Sequence, residues 1–282
     1  MTARIALVTD STADIPPTLA QERQVYVVPL YVIWGADNLK DGIDITPDDF
    51  FKRLPSDPIL PTTSQPSPAE FAEIYQQARD ETDAEAVMAL TISADLSGTY
   101  ASAQQATRMV DFPAYAIDLR SASIGTGLGV LEVADARDSG ASPEEILALA
   151  RSLPARIRLY FLLGTLEYLH KGGRIGGARR FLGTALNIKP ILQIRDGRVE
   201  AHESVRTRKR AFSRLVEIFW EVIDPARPLR VGVLHSAAEE DADALGKAIV
   251  ERCQPTSLVK TQVGATIGVH AGPGAVGFAV LQ

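Results

Sequence analysis

Residues 86–100 read A-V-M-A-L-T-I-S-A-D-L-S-G-T-Y. The apolar run from Ala86 to Leu90 predicts a buried strand, and the hydroxyl-rich stretch that follows predicts a loop opening into a helix near Ser97 or Gly98. Free backbone N–H groups and serine hydroxyls then converge at the carboxyl end of the strand, where a small anion fits. The plainer reading, in which Ser97 only caps the helix, is equally compatible with these residues.

The same unit recurs outward from this stretch. Ile5 to Val8 runs into the polar Thr9-Asp10-Ser11-Thr12-Ala13-Asp14, and Pro16-Pro17 suits a first helical turn. Tyr115 to Asp118 ends at Ser121-Ala122-Ser123 before an apolar helix near Ile124, where Gly125, Gly127 and Gly129 allow close packing. Val25 to Ile33 reads as one β-branched and aromatic run. Thr46-Pro47-Asp48-Asp49 starts a helix, and Ser67-Pro68-Ala69-Glu70 forms a capping box after a proline- and hydroxyl-rich loop from Pro55 to Ser67. Strands alternating with helices argue for a parallel sheet with ligand groups at its carboxyl edge.

A boundary is expected near Pro154, after the helix that starts at Ser142. Beyond it come a strand from Arg156 to Leu163, a hairpin of Ile188–Ile194 and Arg198–Ser204 about Asp196-Gly197, and a helix from Lys209 to Val222. A strand from Leu229 to His235, an acidic helix from Glu239 to Glu251 and two final strands split by residues 269–274 complete the chain.

At 282 residues the chain exceeds one ordinary core, so two domains are expected. A net charge of −6 argues against wholesale nucleic-acid binding. Cys253 is alone, so no intrachain disulfide forms, and the four histidines lack metal-ligand spacing. No apolar run has the length of a signal peptide core or a membrane span, which points to a cytoplasmic protein without membrane insertion.

Familiar catalytic motifs are missing. There is no Walker phosphate loop, and Gly272-Pro273-Gly274-Ala275-Val276-Gly277 matches a dinucleotide fingerprint only literally, since no helix can follow it. Ser97 has Asp95 where a nucleophile elbow needs glycine. By contrast, Leu169 to Gly177 surrounds Lys171 and Arg174 with glycines, which lets the backbone approach a ligand while presenting fixed charge. A solvated loop is the alternative. His270 suits hydrogen bonding to an acid, or a purely structural role. Arg206-Thr207-Arg208-Lys209-Arg210 is either a solvated face or a docking patch for an acidic partner.

Taken together, Val8 to Asp14, Thr63-Ser64-Gln65-Pro66-Ser67, Leu96-Ser97-Gly98-Thr99-Tyr100, Lys171-Gly172-Gly173-Arg174-Ile175, Asn187-Ile188-Lys189-Pro190-Ile191-Leu192 and the late His270 with its Gly-Pro-Gly resemble the DegV family nearly end to end. The resemblance implies an α/β protein of two domains. Residues 1–155 would form a three-layer α/β/α domain on a parallel sheet, and residues 156–282 a two-layer α/β domain on a mixed sheet. It further implies a long-chain fatty acid held between the domains, no cofactor, no chemistry of its own, and a separate fatty acid kinase subunit to which the carboxylate is presented. Carried over by motif, Thr63 and Ser97 would bond the carboxylate, with Thr62 as the adjacent alternative hydroxyl and Ser64 as a neighbour. Arg174 and His270 would complete the network, and Arg206 would face the kinase. A carboxylate is met by hydroxyls and one arginine without metal, and each buried methylene of the tail adds about 0.8 kcal/mol. An acyl hydrolase using Ser97 and His270, and a sensor of anionic metabolites, are the competing functions.

Overall fold

The computed structural model describes residues 4–182 and 188–282, so Asn187 of the last-quoted motif lies outside it. The first half contributes the strands β1 (Ile5–Asp10), β2 (Val25–Val28), β3 (Tyr31–Trp34), β4 (Asp37–Lys40), β5 (Thr62–Ser64), β6 (Ala86–Thr91) and β7 (Ala114–Asp118). The second contributes β8 (Ile157–Leu162), β9 (Lys189–Arg195), β10 (Arg198–Val205), β11 (Arg230–His235), β12 (Ser257–Gln262) and β13 (Val276–Leu281).

β2, β1, β6 and β7 form a parallel sheet in that order. Period-two alternation feeds both of its faces. Ile5, Leu7, Met88 and Leu90 join one cluster with Ile124 and Leu128 of the helix Ile124–Asp138, whereas Ala6, Val8, Val87 and Ala89 join Phe71, Tyr75 and Ala103 of the helices Pro68–Thr82 and Thr99–Ala106. The result is three layers. The caps expected at Thr46 and Ser67 are both present, the second as a full box with Glu70.

The second sheet runs β10-β9-β8-β13-β11-β12, antiparallel except between β11 and β12. One face is covered by the helices Arg208–Val222 and Glu239–Val250 through Leu215, Phe219, Leu245 and Ile249. Its other face, with Leu159, Leu234, Ala279 and Leu281, shares a cluster with the first domain. Contact there is tight, since a Cβ on Gly232 of β11 would come within 2.6 Å of Ile124. Pro154 lies inside the helix Pro143–Arg156, which passes directly into β8 without a linker.

Three local expectations change. The run from Val25 to Ile33 is two strands, because Pro29 and Leu30 interrupt it, and β3 turns into a separate small sheet in the order β4-β3-β5. The loop from Pro55 to Ser67 contains β5, which pairs with β3 with Thr63 opposite Val32. Between the last two strands lies a helix, Ala265–Ala271, rather than a turn alone. Its sequence, A-T-I-G-V-H-A, is rich in β-branched residues and glycine, so propensity opposes it. Its first amide groups are instead received by Asp14 and Asp41 of the other domain.

Candidate functional site

A cavity lined from both domains and partly open to solvent lies between the two sheets. Apolar side chains dominate its wall, among them Ile92 and Leu96 from the first domain and Leu159, Phe161, Ile194 and Leu234 from the second. Thr63, Ser97, Arg174 and His270 line the same cavity. Ser64 does not, because the alternation of β5 turns Thr62 and Ser64 outward, where both are exposed, and leaves Thr63 on the side of buried Val32.

Thr63 Oγ1 and His270 Nε2 are 3.0 Å apart and join residues 207 positions distant in sequence. With the imidazole proton on Nε2, His270 donates to Thr63 and frees the threonine hydroxyl to donate into the cavity. Ser97 is arranged alike. Its Oγ accepts the Thr99 N–H at 3.3 Å and lies 2.8 Å from Thr99 Oγ1, so donation from Thr99 leaves the serine proton for a ligand. The assigned cap of the helix Thr99–Ala106 is Gly98, which offers no side chain, so Ser97 serves the helix start and the cavity together.

Arg174 is exposed at the rim. Its Nε donates to the Leu96 carbonyl at 3.0 Å and its Nη1 to the Gly172 carbonyl at 2.9 Å, which aims the guanidinium from the second domain at the Ser97 loop of the first. The glycines of this segment have a spatial reason. A Cβ on Gly172 would lie 2.2 Å from His270 Nδ1, so only glycine lets the ring sit where it does. Lys171 instead pairs with Glu167 at 2.6 Å, exposed and away from the cavity wall.

Burial, and then the Arg174 cation, push the His270 imidazole down to about 4, so the ring is neutral near pH 7 and Arg174 supplies the site's positive charge. His270's contribution is complete above 6.5 and is lost as pH falls toward 4. Asp10, raised by burial to about 6, acts oppositely, since its contribution is lost as pH rises from 3.8 through 6. A His270→Gln variant isolates the first effect. Between pH 7.5 and 4.5 the wild type should lose up to about 3 kcal/mol more stability than the variant in urea titrations. Parallel losses would rule out a buried neutral imidazole.

Among the described residues Ser97 has Thr99 rather than His270 as its side-chain partner, and buried His270 Nδ1 has no hydrogen-bond partner. Ser97 and His270 are thus not hydrogen-bonded to each other as a nucleophile and its oriented base would be. Arg206 is exposed on the loop before the helix Arg208–Val222. Thr207 caps that helix, and Arg208 is engaged by Asp241, so the basic stretch presents Arg206, Lys209 and Arg210. Sequence reasoning missed the roles of Thr99 and of the Leu96 carbonyl, and gave Asp10, Asp14 and Asp41 none, although the first two stand in a quoted motif.

The family model described as "Uncharacterised protein, DegV family" matches residues 4–282. Protein DegV of Bacillus subtilis (strain 168) is 33% identical over 276 residues, covering 97% of this chain and 98% of that protein. A DegV family protein from Thermus thermophilus, described as fatty acid binding, superposes with a TM-score of 0.93 at 38% identity over 99% of each chain. A stearic acid-binding protein from Eubacterium ventriosum superposes with a TM-score of 0.91 at 26% identity over 99% of this chain and 98% of that one.

Proposed function

Because this chain belongs to the DegV family, we propose that it binds a long-chain fatty acid between its two domains and acts as a carrier without catalysis of its own. The observation that carries this reading is an apolar cavity whose polar lining includes Thr63, Ser97, Arg174 and His270. Thr63 and Ser97 donate to the carboxylate, Arg174 neutralises it, and His270 orients Thr63. Ser64 faces solvent and takes no part. The relatives described as binding fatty acids share the fold over nearly the whole length, which supports the same ligand class here. Among the described residues no helix is long and apolar enough to cross a membrane. A cytoplasmic carrier that meets its lipid transiently is the matching picture.

The bound carboxylate is presented to a separate fatty acid kinase subunit that docks on exposed Arg206. Organic extraction of purified protein followed by mass spectrometry should release a long-chain acid. Failure to find one, together with failure of delipidated protein to bind oleate, would end the carrier reading. Arg206→Glu should slow phosphorylation of bound acid by the kinase subunit while leaving oleate affinity unchanged; equal loss of both would remove the docking role.

A further inference from the structure

The helix Ala265–Ala271 that carries His270 has no side-chain cap of its own, and its sequence disfavours helix. Its amino-terminal donors are met from the opposite domain. Gly264 N–H donates to Asp14 Oδ1 at 2.8 Å, Ala265 N–H to Asp41 Oδ1 at 2.9 Å and Thr266 N–H to Asp41 Oδ2 at 3.3 Å. Both carboxylates are buried, and both are fixed in turn. Ser11 Oγ donates to Asp41 at 3.1 Å while accepting the Leu30 N–H at 3.0 Å, and Ser123 donates to Asp14. Leu30 closes the loop by accepting the Asp41 N–H at 2.9 Å. Space is tight here, since a Cβ on Gly264 would lie 3.0 Å and 3.1 Å from the Asp41 oxygens and 3.2 Å from Asp14.

Thr266 and His270 are four residues apart, one turn along the same helix face. Whatever fixes the helix start therefore fixes the imidazole relative to Thr63, which belongs to the same domain as the two aspartates. We propose that Asp41, seconded by Asp14, is the positioning residue of the head-group site: from the first domain it clamps the start of the His270 helix and so sets the imidazole against Thr63. Burial holds both acids above the usual carboxylate range, so the hydrogen bonds, more than charge, make the clamp. This proposal rests on the reading of Thr63 and His270 as part of a carboxylate site.

The test reads His270 directly. In ligand-free protein, the imidazole titration followed by nuclear magnetic resonance should move up by at least about one unit in Asp41→Ala, because a released helix takes the ring away from burial and from Arg174, the charged group that faces it. Oleate affinity should fall by about tenfold or more in the same variant. Asp41→Asn, which keeps one acceptor oxygen, should lie between the alanine variant and wild type in both measurements. A folded Asp41→Ala protein whose His270 titrates as in wild type overturns the proposal. Should Asp41→Ala fail to fold, Gly264→Ala crowds the same carboxylates, and an unshifted His270 in that variant overturns it equally. A His270 shift in protein that never binds oleate would uphold the clamp and sink the fatty-acid reading, so the two fail separately.

Discussion

Arg174→Ala is expected to weaken oleate binding by roughly 30- to 100-fold while the protein remains folded. Among the described cavity-lining residues Arg174 alone carries a fixed positive charge, because the burial of His270 keeps its ring neutral at physiological pH. Hydrogen bonds to a charged group contribute about 1.5–3 kcal/mol each in protected surroundings, and exposure at the rim cuts the two that one guanidinium can offer to about 2–3 kcal/mol together. Arg174→Lys keeps the charge but loses the planar fork and its anchor on the Leu96 carbonyl, so a smaller loss of about tenfold is expected. Removing the cation has a second consequence. With the Arg174 contribution gone, His270 should titrate higher in Arg174→Ala, which calorimetry of oleate binding and a ligand-free histidine titration can follow together. An affinity change below about threefold would mean that the hydroxyls alone hold the head group, contrary to the charge argument.

How much of this was legible in sequence depends on how local each signal is. The strand and loop of residues 86–100, the box at Ser67 and Glu70, and the two-faced runs of β1 and β6 depend on neighbours a few positions away, and the structure has them. The helix Ala265–Ala271 depends on Asp14 and Asp41, more than 200 positions distant, so its own residues gave a strand-like signal. The same applies to β5, whose pairing with β3 brings Thr63 inward. The convergence of Thr63, Ser97, Arg174 and His270 was readable only through a family resemblance, since no periodicity links residues from four separate segments. Once the fold is known, the glycines explain themselves: Gly172 and Gly264 mark where a ring and two carboxylates approach the backbone.

The second large effect concerns the tail. Ala122 lines the cavity on the loop between β7 and the helix Ile124–Asp138 and is 7% exposed, so Ala122→Phe would place a ring in the space assigned to the acyl chain. Each buried methylene is worth about 0.8 kcal/mol, close to fourfold in affinity, so wild-type binding should strengthen steadily from decanoate to stearate. The variant should follow the wild type for the shorter acids and then level off, with a loss of about 100-fold or more for stearate. Overpacking of a filled core costs about 1–3 kcal/mol, but Ala122 lines the cavity, so a ring directed into it should change the ligand-free unfolding temperature little. A uniform loss at every chain length would place Ala122 at the head group instead of along the tail. No loss at any length would mean that the acyl chain lies elsewhere. A wild-type affinity indifferent to chain length would favour a sensor of small anions, because the apolar wall would then contribute nothing to recognition.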